Sequence, residues 1–586
     1  MIGTKFETTV YKVLSVLFLA VFLPVLFCVF TVAARMDYFE AMKPQTMLPN
    51  FVLFLLALPF GALIVFLLSL GEKHPLKGKW DYLTGAGLAV LAIGLYFVMN
   101  SVAREAAFFL PWDIDVVRGS ALNFAALKPM GYDFYYSIYS NNIPIVFILG
   151  KILKFSKEWG YPLHPEFILV QVNCGLMAAS VLFAALSVKR LTKNLAASLL
   201  TFALGTALIA SSGWMMAVYT DTYGQLFPIL GVYLYICYRQ VKPLWAKLIL
   251  MFGSIGVIAF GGLVKPSIFV VLIALIMAEC VRFTHSAIDF VAEKKASSGK
   301  TSAGKTSPGK AAGNKPFLTA LICMLAFLSF SVALYKFSGA VKMELMKRVG
   351  LEFNANLEAG PADYLLMGQN NEHTGAYLNE DTTIFGEFQD TERSVREKII
   401  FGRAMDRIKD RGLIGNLSFY LRKMVMTFND GTFGWSTEVW KNGDYNPAVA
   451  RGGRLSSTIK QFYDVNPNRK NGFLNTFQHF IWMVCLIGLG AGVLSNFLTG
   501  RKSGVLSDSL TVRESGGGEG EKATDANFLM IIFFGVYFYQ MLFEARARYL
   551  FVFLPVLMVM AMQGYANLRI AAQRLFAGKH PKGETK

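Results

Sequence analysis

Charged residues are scarce in this sequence. Asp, Glu, Lys and Arg make up 16% of the 586 residues, whereas a typical soluble domain has about 25%. Hydrophobic residues reach 54% and gather in long runs. Runs of about 20 apolar residues are long enough to cross a bilayer as helices. The composition therefore argues against a soluble protein and predicts an integral membrane protein with several spans.

Cysteine is also rare, with six residues in the chain. Each cysteine lies within or at the edge of an apolar run: Cys28, Cys174, Cys237, Cys280, Cys323 and Cys485. None stands in a long loop, and no two have the spacing of metal ligands. Neither a disulfide framework nor a cysteine metal centre is indicated.

Acidic residues are fewer than basic ones, 39 against 57, which gives a net charge of +18. The positive-inside rule and attraction to anionic lipid headgroups account for most of this excess. An anionic substrate is the sharper interpretation. Nucleic-acid binding needs a basic soluble face, and none is evident, so no nucleic-acid partner is expected.

Twelve apolar runs predict an all-α polytopic membrane protein with about 12 transmembrane helices. They cover residues 10–34, 48–70, 82–100, 167–188, 195–213, 214–237, 245–263, 267–283, 317–337, 474–497, 526–543 and 549–566. A further apolar stretch, 143–154, is short and interrupted by lysines. If it crossed the membrane, the basic residues after the fourth run would face outward, so we predict an interfacial or re-entrant helix there.

The distribution of Lys and Arg places both termini on the cytoplasmic side of a plasma membrane. Three parts are then expected. The first is a transmembrane module, 1–337, with an external loop at 101–142 and a cytoplasmic linker at 284–316. The second is an external α-rich domain at 338–473. The third is a transmembrane module, 474–586, with a cytoplasmic linker at 498–525.

Polar residues interrupt the apolar pattern at four places on the predicted external side. The first external loop carries an Asp-x-Asp pair, an arginine and a polar aromatic stretch that suits sugar rings and hydroxyls: Asp113, Asp115, Arg118, Tyr135, Tyr136, Asn141 and Asn142. A solvated loop or helix cap would explain the aspartates equally simply, and tyrosine is an ordinary interface anchor. Charge at membrane depth is costly unless it has a partner or a role.

The other three places lie at predicted external helix ends. Tyr219 and Asp221 interrupt an apolar stretch where two helices are expected to meet, and a tight helix–helix turn is the alternative interpretation. Lys265 breaks the positive-inside pattern and suits a lipid phosphate, with snorkelling to the interface as the alternative. The last place carries Glu544, Arg546 and Arg548, which suit a phosphate or a plain ion pair. All four places meet on one side of the membrane.

Together these features resemble the GT-C superfamily of membrane glycosyltransferases, which includes protein O-mannosyltransferases, aminoarabinose transferases and a closer group of bacterial family-39-like proteins. The matching elements are the loop from Asp113 to Arg118, the start of a helix at Asn142-Ile143-Pro144, Thr220-Asp221, Lys265-Pro266, 361–368, Asp381, 428–435 and 544–549. Two features depart from the pattern. Two spans precede the helix that leads into the first loop, where many relatives have one. Ser140-Asn141-Asn142-Ile143-Pro144 replaces a Lys-Pro-Pro element that some relatives carry.

The resemblance implies a GT-C type bundle, a polyprenyl-phosphate-linked sugar donor and an active site on the external face. It implies an Asp in the first external loop as general base, and the Asp-x-x-Arg spacing matches Asp115 with Arg118. The acceptor would be a glycan, a lipid or a protein. Lys265, Arg546 and Arg548 would stabilise the leaving phosphate in a single inverting displacement.

Three alternatives stay open at this stage. The Asp pair could hold a divalent cation such as Mg²⁺ or Mn²⁺, although the spacing is equally compatible with no metal. A multi-pass transporter or lipid-linked sugar flippase is the rival activity, although no clear internal repeat is present. A non-catalytic scaffold of envelope assembly is the third, and it predicts that the charged clusters tolerate substitution.

Overall fold

A computed structural model describes residues 2–31, 46–72, 76, 78–106, 112–298, 314–438, 451–464, 468–503 and 528–577. No strand occurs in these ranges. Their α-helices are α1 Ile2–Thr31, α2 Asn50–Glu72, α3 Lys79–Ala106, α4 Asp113–Ala125, α5 Asp133–Ile138, α6 Ile143–Glu158, α7 Phe167–Thr192, α8 Leu195–Gly205, α9 Thr220–Tyr223, α10 Leu226–Gln240, α11 Leu244–Val264, α12 Phe269–Ser298, α13 Asn314–Arg348, α14 Pro361–Gly368, α15 Asn379–Glu387, α16 Arg393–Asp410, α17 Gly412–Phe428, α18 Trp435–Glu438, α19 Gly453–Phe462, α20 Arg469–Ser503, α21 Phe528–Leu542, α22 Arg548–Phe551 and α23 Leu554–Ala577.

Eight helices in the described ranges are long and apolar enough to cross a membrane. They are Lys5–Phe30, Asn50–Glu72, Lys79–Ala106, Phe167–Thr192, Leu244–Val264, Pro266–Lys295, Pro316–Arg348 and Arg469–Ser495. The all-α fold is therefore confirmed, but the predicted count of twelve spans is not. Each of the eight corresponds to a predicted apolar run.

The other four predicted spans are short or interrupted. The run at 195–213 forms α8 and then a π-helical turn over Thr206–Ala210. The run at 214–237 breaks into a 3-10 turn, Gly213–Met216, the single turn of α9 and the 15 residues of α10. Helix α21 also has 15 residues. The run at 549–566 is divided between α22 and α23.

Helices α20 and α23 pack closely through small residues. A Cβ atom added to Gly564 would lie 2.0 Å from the carbonyl oxygen of Gly488, and one added to Gly492 would lie 2.3 Å from Cα of Gly564. Any side chain at these positions would push the helices apart. Small residues that allow such close approach are typical of helix contacts in membranes.

Polar contacts collect at two ends of the bundle. At the end that we call the basic end, Lys189 of α7 lies 3.0 Å from Asp81 of α3. There too Asn194 donates a hydrogen bond of 2.8 Å to the carbonyl oxygen of Leu68, and Gln240 donates one of 3.1 Å to that of Arg190. The segment after the fourth apolar run, 189–194, therefore contacts the ends of α2 and α10 and the start of α3.

The predicted external domain attaches to the other end, which we call the loop end. Lys423 of α17 is buried, and its ammonium nitrogen donates to the carbonyl oxygens of Gly368, Met541 and Phe543 at 2.5, 2.8 and 2.6 Å. The amide of Ala545 donates to the carbonyl oxygen of Gly375 at 2.9 Å. These contacts fix the last turn of α21 and the polar segment after it.

The predicted boundaries of the domain and linkers meet the structure only in part. Helix α13 continues past 337 to Arg348. The linker at 284–316 begins as part of α12, and most of the remainder lies outside the described residues, as does most of 498–525. Helix α6 covers 143–158 and buries Ile143, Val146 and Leu149, which agrees with an amphipathic helix. Its position at a membrane interface stays a prediction.

Candidate functional site

Asp113, the first residue of α4, lies in a hydrogen-bonded cluster of polar aromatic residues. The hydroxyl of Tyr135 donates to one carboxylate oxygen of Asp113 at 2.9 Å. The hydroxyl of Tyr219 donates to the other at 3.4 Å. The side-chain amide of Asn142 donates to both hydroxyls, at 2.8 Å to Tyr135 and 3.4 Å to Tyr219. Tyr135, Asn142 and Tyr219, from two other parts of the chain, thus hold the Asp113 carboxylate in place.

The backbone around Asp113 adopts conformations that non-glycine residues seldom use. Trp112, immediately before α4, has φ 66°, and Tyr132, immediately before α5, has φ 62°. Backbone strain of this kind persists only where the surrounding structure enforces it, and it is common at functional sites. It aims the first residue of α4 and the tyrosines of α5 at each other.

The phenols in this cluster are hydrogen-bond donors at ordinary pH. Burial, followed by the nearby Tyr219 and Asp113, raises the pKa of Tyr135 well above its usual value. Burial, followed by the charge of Asp113, does the same to the pKa of Tyr219. A protonated phenol stabilises an ionised carboxylate. A carboxylate has about four acceptor positions, so Asp113 keeps acceptor capacity beyond its two tyrosine bonds.

The second part of the site centres on Asp221 in the single turn α9. Its side chain is 1% exposed, and one carboxylate oxygen accepts a hydrogen bond of 2.6 Å from the ammonium of Lys265. The other oxygen lies 4.0 Å from Nε of Arg548. Lys265 follows α11 and Arg548 begins α22. Residues predicted at three separate external turns therefore meet, as the sequence indicated.

Glu544 and Arg546 lie beside this cluster. The guanidinium Nε of Arg546 is 3.6 Å from a Glu544 carboxylate oxygen, which matches the ion-pair interpretation of these two residues. The ring of Tyr549 lies 5.0 Å from the ammonium of Lys265, and its hydroxyl accepts a hydrogen bond of 3.2 Å from Arg548. In this group of charged side chains three cations accompany two carboxylates.

Tyr219 joins the two parts. Its hydroxyl contacts Asp113, and it stands two residues before Asp221. The charge of Asp113 raises the pKa of Tyr219 and that of Arg548 lowers it, so both act on the same phenol. A carboxylate that can accept a proton thus lies next to a cluster of buried cations.

Two residues of the predicted site lie apart from this cluster. Asp115 is 54% exposed and pairs with Arg118 at 2.5 Å. Arg118 also pairs with Glu166, the residue before α7, at 2.6 Å. It therefore lies between the carboxylates of Asp115 and Glu166. Residues two apart on a helix point in different directions. Asp115 as the base, and Arg118 as a phosphate ligand, stay predictions, and the geometry favours Asp113 over Asp115.

The remaining predicted substrate residues lie at the edge of the cluster. Tyr136 is buried and packs its ring at 5.0 Å from that of Tyr135. Asn141 accepts a hydrogen bond of 3.4 Å from the hydroxyl of Tyr364. Tyr364 was not singled out in the sequence, and its residue type alone could not distinguish it from an ordinary buried tyrosine.

Two elements of the resemblance have structural partners instead. Asp381 accepts paired hydrogen bonds of 3.0 and 2.6 Å from Arg407. Asp430 accepts bonds of 2.7 Å from the amides of Thr432 and Gly434, and Trp214 donates one of 2.8 Å to the carbonyl oxygen of Phe433. The contacts of Asp381 and Asp430 are internal to residues 338–473, and the bond from Trp214 joins that part of the chain to the helix bundle. Among the described residues, no group of three or more His, Cys, Asp or Glu side chains could hold a metal ion.

Comparison with protein families adds one match. The family model for conserved hypothetical integral membrane proteins matches residues 4–497. The chain belongs to this family. It is therefore an integral membrane protein. Comparison with curated proteins and with solved structures found no match.

The family match contains Asp113, Asp221 and Lys265 and ends before α21. Glu544, Arg546 and Arg548 lie beyond it, although Arg548 completes the ion-pair cluster of Asp221. The site thus combines residues of the family segment with residues between the end of α21 and the start of α22.

Proposed function

We propose that this integral membrane protein is a glycosyltransferase that moves a sugar from a polyprenyl-phosphate carrier to a cell-envelope glycan, lipid or protein. The observation that carries the proposal is the junction at Tyr219. It places Asp113, a carboxylate able to accept a proton, beside the buried cluster of Asp221, Lys265 and Arg548. Displacement at a sugar phosphate needs these two elements close together.

In the proposed reaction, Asp113 is the general base. An acceptor hydroxyl loses its proton to the Asp113 carboxylate while its oxygen attacks the anomeric carbon. The bond between that carbon and the phosphate oxygen breaks, and polyprenyl phosphate leaves with the electron pair. One displacement of this kind inverts the anomeric centre. Tyr135 and Tyr219 hold the carboxylate in position.

Lys265 and Arg548 are the proposed phosphate ligands. The leaving phosphate gains negative charge during the reaction, so a nearby cation stabilises the transition state more than the bound donor. Asp221 already pairs with both side chains at 2.6 and 4.0 Å. Asp221 would hold the Lys265 and Arg548 side chains in place until the donor phosphate binds between them. Arg546, paired with Glu544, would act more weakly.

The surroundings of the site suit a lipid-linked substrate. The cluster lies at the ends of helices, where α9 and the residues around it leave the regular bundle. Buried tyrosines around Asp113 offer aromatic faces and hydroxyls to a sugar. By the positive-inside rule the loop end faces outward, so the proposed active site is external.

The test is transfer by the purified full-length chain in lipid nanodiscs, with a panel of synthetic polyprenyl-phosphate sugars as donors. Released polyprenyl phosphate is measured. We expect release with at least one donor and a loss of roughly 100-fold or more in Asp113→Asn, because an amide cannot accept the proton. The matched control is Asp115→Asn on the same helix, which should keep near wild-type turnover. If Asp115→Asn is the inactive variant, the base assignment is overturned.

A lipid-linked sugar flippase is the second candidate. The interruption of regular helix between Leu204 and Leu226 favours it. Transporters bind substrates where helices are interrupted, and this stretch contains a π turn, a 3-10 turn and an isolated helical turn. In proteoliposomes, a flippase would move the donor from one leaflet of the membrane to the other without releasing polyprenyl phosphate. Movement without release would favour it over the transferase.

A further inference from the structure

A cavity of about 880 Å³ lies away from the site just described, between the second half of α6 and the first turns of α7. Its lining combines lysines, aromatic rings and aliphatic side chains: Lys151, Ile152, Lys154, Phe155, Ser156, Glu158, Trp159, Tyr161, Pro162, Ile168 and Val172. Helix α6 begins beside Asn142 and rises about 1.5 Å per residue. Lys154 is therefore on the order of 18 Å along the helix from the tyrosine cluster.

The rim of the cavity is positively charged. Lys151 is exposed, and its ammonium lies 5.3 Å from the ring centre of Phe147. Lys154 is half exposed and lies 4.0 Å from Glu158, at the outer limit of an ion pair. A contact this long between exposed groups contributes little. Both ammonium groups can turn toward an anion in the cavity.

Ser156 supplies a second and independent observation. Its side chain is 4% exposed and lines the cavity, yet its hydroxyl has no hydrogen-bond partner in the described part of the chain. Serines on the neighbouring helix donate to the carbonyl four residues earlier, as Ser180 and Ser187 do at 2.8 and 2.7 Å. A buried hydroxyl without a partner costs free energy, and a polar ligand in the cavity that Ser156 lines could supply the missing partner.

The other walls suit the apolar part of a lipid. Ile152, Ile168 and Val172 contribute aliphatic surface. Trp159 is 78% exposed and packs its ring 4.7 Å from that of Phe155. Exposed tryptophan beside lysine is typical of the headgroup level of a membrane. A water-soluble phosphate would gain nothing from these walls.

We propose that this cavity binds an anionic phospholipid, with the phosphate held by Lys151, Lys154 and the hydroxyl of Ser156 and an acyl chain against Ile168 and Val172. Such a lipid would anchor α6, which begins immediately after Asn142, a residue that donates a hydrogen bond to Tyr135 in the tyrosine cluster. The site is separate from Lys265 and Arg548, so its existence does not depend on the proposed transferase activity.

The test uses the full-length chain in phosphatidylcholine nanodiscs that contain increasing fractions of brominated phosphatidylglycerol. Bromine quenches tryptophan fluorescence at short range, and the signal of Trp159 is the difference between the wild type and Trp159→Phe. We expect saturable quenching by brominated phosphatidylglycerol and little by brominated phosphatidylcholine at equal fractions. Equal quenching by both lipids would overturn the proposal.

Variants of the lining residues locate the binding site. Lys151→Gln with Lys154→Gln should raise the half-saturating lipid fraction on the order of tenfold, and Ser156→Ala should raise it less. The matched control is Lys157→Gln, which removes a charge from the same helix outside the cavity and should leave it unchanged. An unchanged value in the double variant would contradict the proposal, as would competition by inorganic phosphate or tighter binding of a prenyl phosphate, which would assign the cavity to another ligand.

Discussion

Two buried carboxylates at different depths of this bundle have similar exposure and very different surroundings. Glu279 of α12 is 2% exposed and Asp221 of α9 is 1% exposed. Glu279 accepts hydrogen bonds from Tyr235 at 2.7 Å, Tyr238 at 2.9 Å and Arg282 at 2.6 Å. All of these partners stand on the regular helices α10 and α12. Asp221 stands on one isolated turn, and its cations come from two distant helix ends.

A buried charge therefore does not mark a functional site by itself. A charged side chain whose partners all lie on regular helices holds those helices together. Removing one member of such an ion pair leaves the other buried without a counter-charge. A charge at a break in the backbone, with partners from distant segments and a second carboxylate nearby, can offer those partners to a ligand. The Glu279 group is the internal control for the Asp221 group.

The largest expected effect is on stability at the Glu279 group. Glu279→Gln leaves Arg282, whose side chain is only 22% exposed, without its carboxylate, so the free energy of unfolding should fall by roughly 3 kcal/mol. Thermal unfolding in detergent measures it, and the activity per folded molecule should be unchanged. The matched control is Glu344→Gln, from an exposed pair with Arg348, which should have little effect. If the transfer activity falls more than the folded fraction does, the Glu279 group also contributes to activity, and its proposed contrast with the Asp221 group is contradicted.

The next effect is on turnover at the Asp221 group. Lys265→Ala removes one charge-assisted phosphate contact, which should cost about 2 kcal/mol, or roughly 30-fold in turnover. Donor affinity should change less, because the contact strengthens as the phosphate leaves. Single-turnover transfer with donor binding followed separately distinguishes the two. Lys247→Ala, at the opposite end of the same helix, is the control. Full activity in Lys265→Ala would remove this lysine from the mechanism.

The smallest effect concerns the tyrosines that hold Asp113. Tyr135→Phe removes a 2.9 Å hydrogen bond to the carboxylate. The activation free energy should rise by about 1 kcal/mol, which lowers turnover roughly fivefold. Steady-state transfer rates measure it. Tyr132→Phe, on an exposed ring three residues earlier, should be neutral. Equal losses in both variants would indicate a general disturbance of α5 rather than the loss of this bond.

The sequence alone was sufficient for the helical fold and for most of the charged cluster. The meeting of Asp221, Lys265 and Arg548 follows from helix ends that must face the same side when basic segments face the other. The choice between Asp113 and Asp115 did not follow. It depends on where α4 begins and on which direction each residue then points, and the local sequence fits either aspartate.

The predicted count of twelve spans is not confirmed, for a related reason. Hydropathy measures apolar content over a window and does not detect a break in the backbone. The runs at 195–213 and 214–237 are apolar enough for two spans, yet the chain between Leu204 and Leu226 forms short turns that bring Tyr219 and Asp221 to the site. The same break that lowered the count therefore builds part of the candidate site.

The most direct test of the central claim is to locate the bound donor. A polyprenyl-phosphate sugar with a photoreactive group on the sugar would be crosslinked to the full-length chain in nanodiscs, and labelled peptides would be identified by mass spectrometry. We expect labels on peptides that contain Asp113, Tyr135 or Tyr219, with labelling reduced in Lys265→Ala and unchanged in Lys247→Ala. Labels confined to the basic end, or equal labelling in both variants, would contradict the central claim.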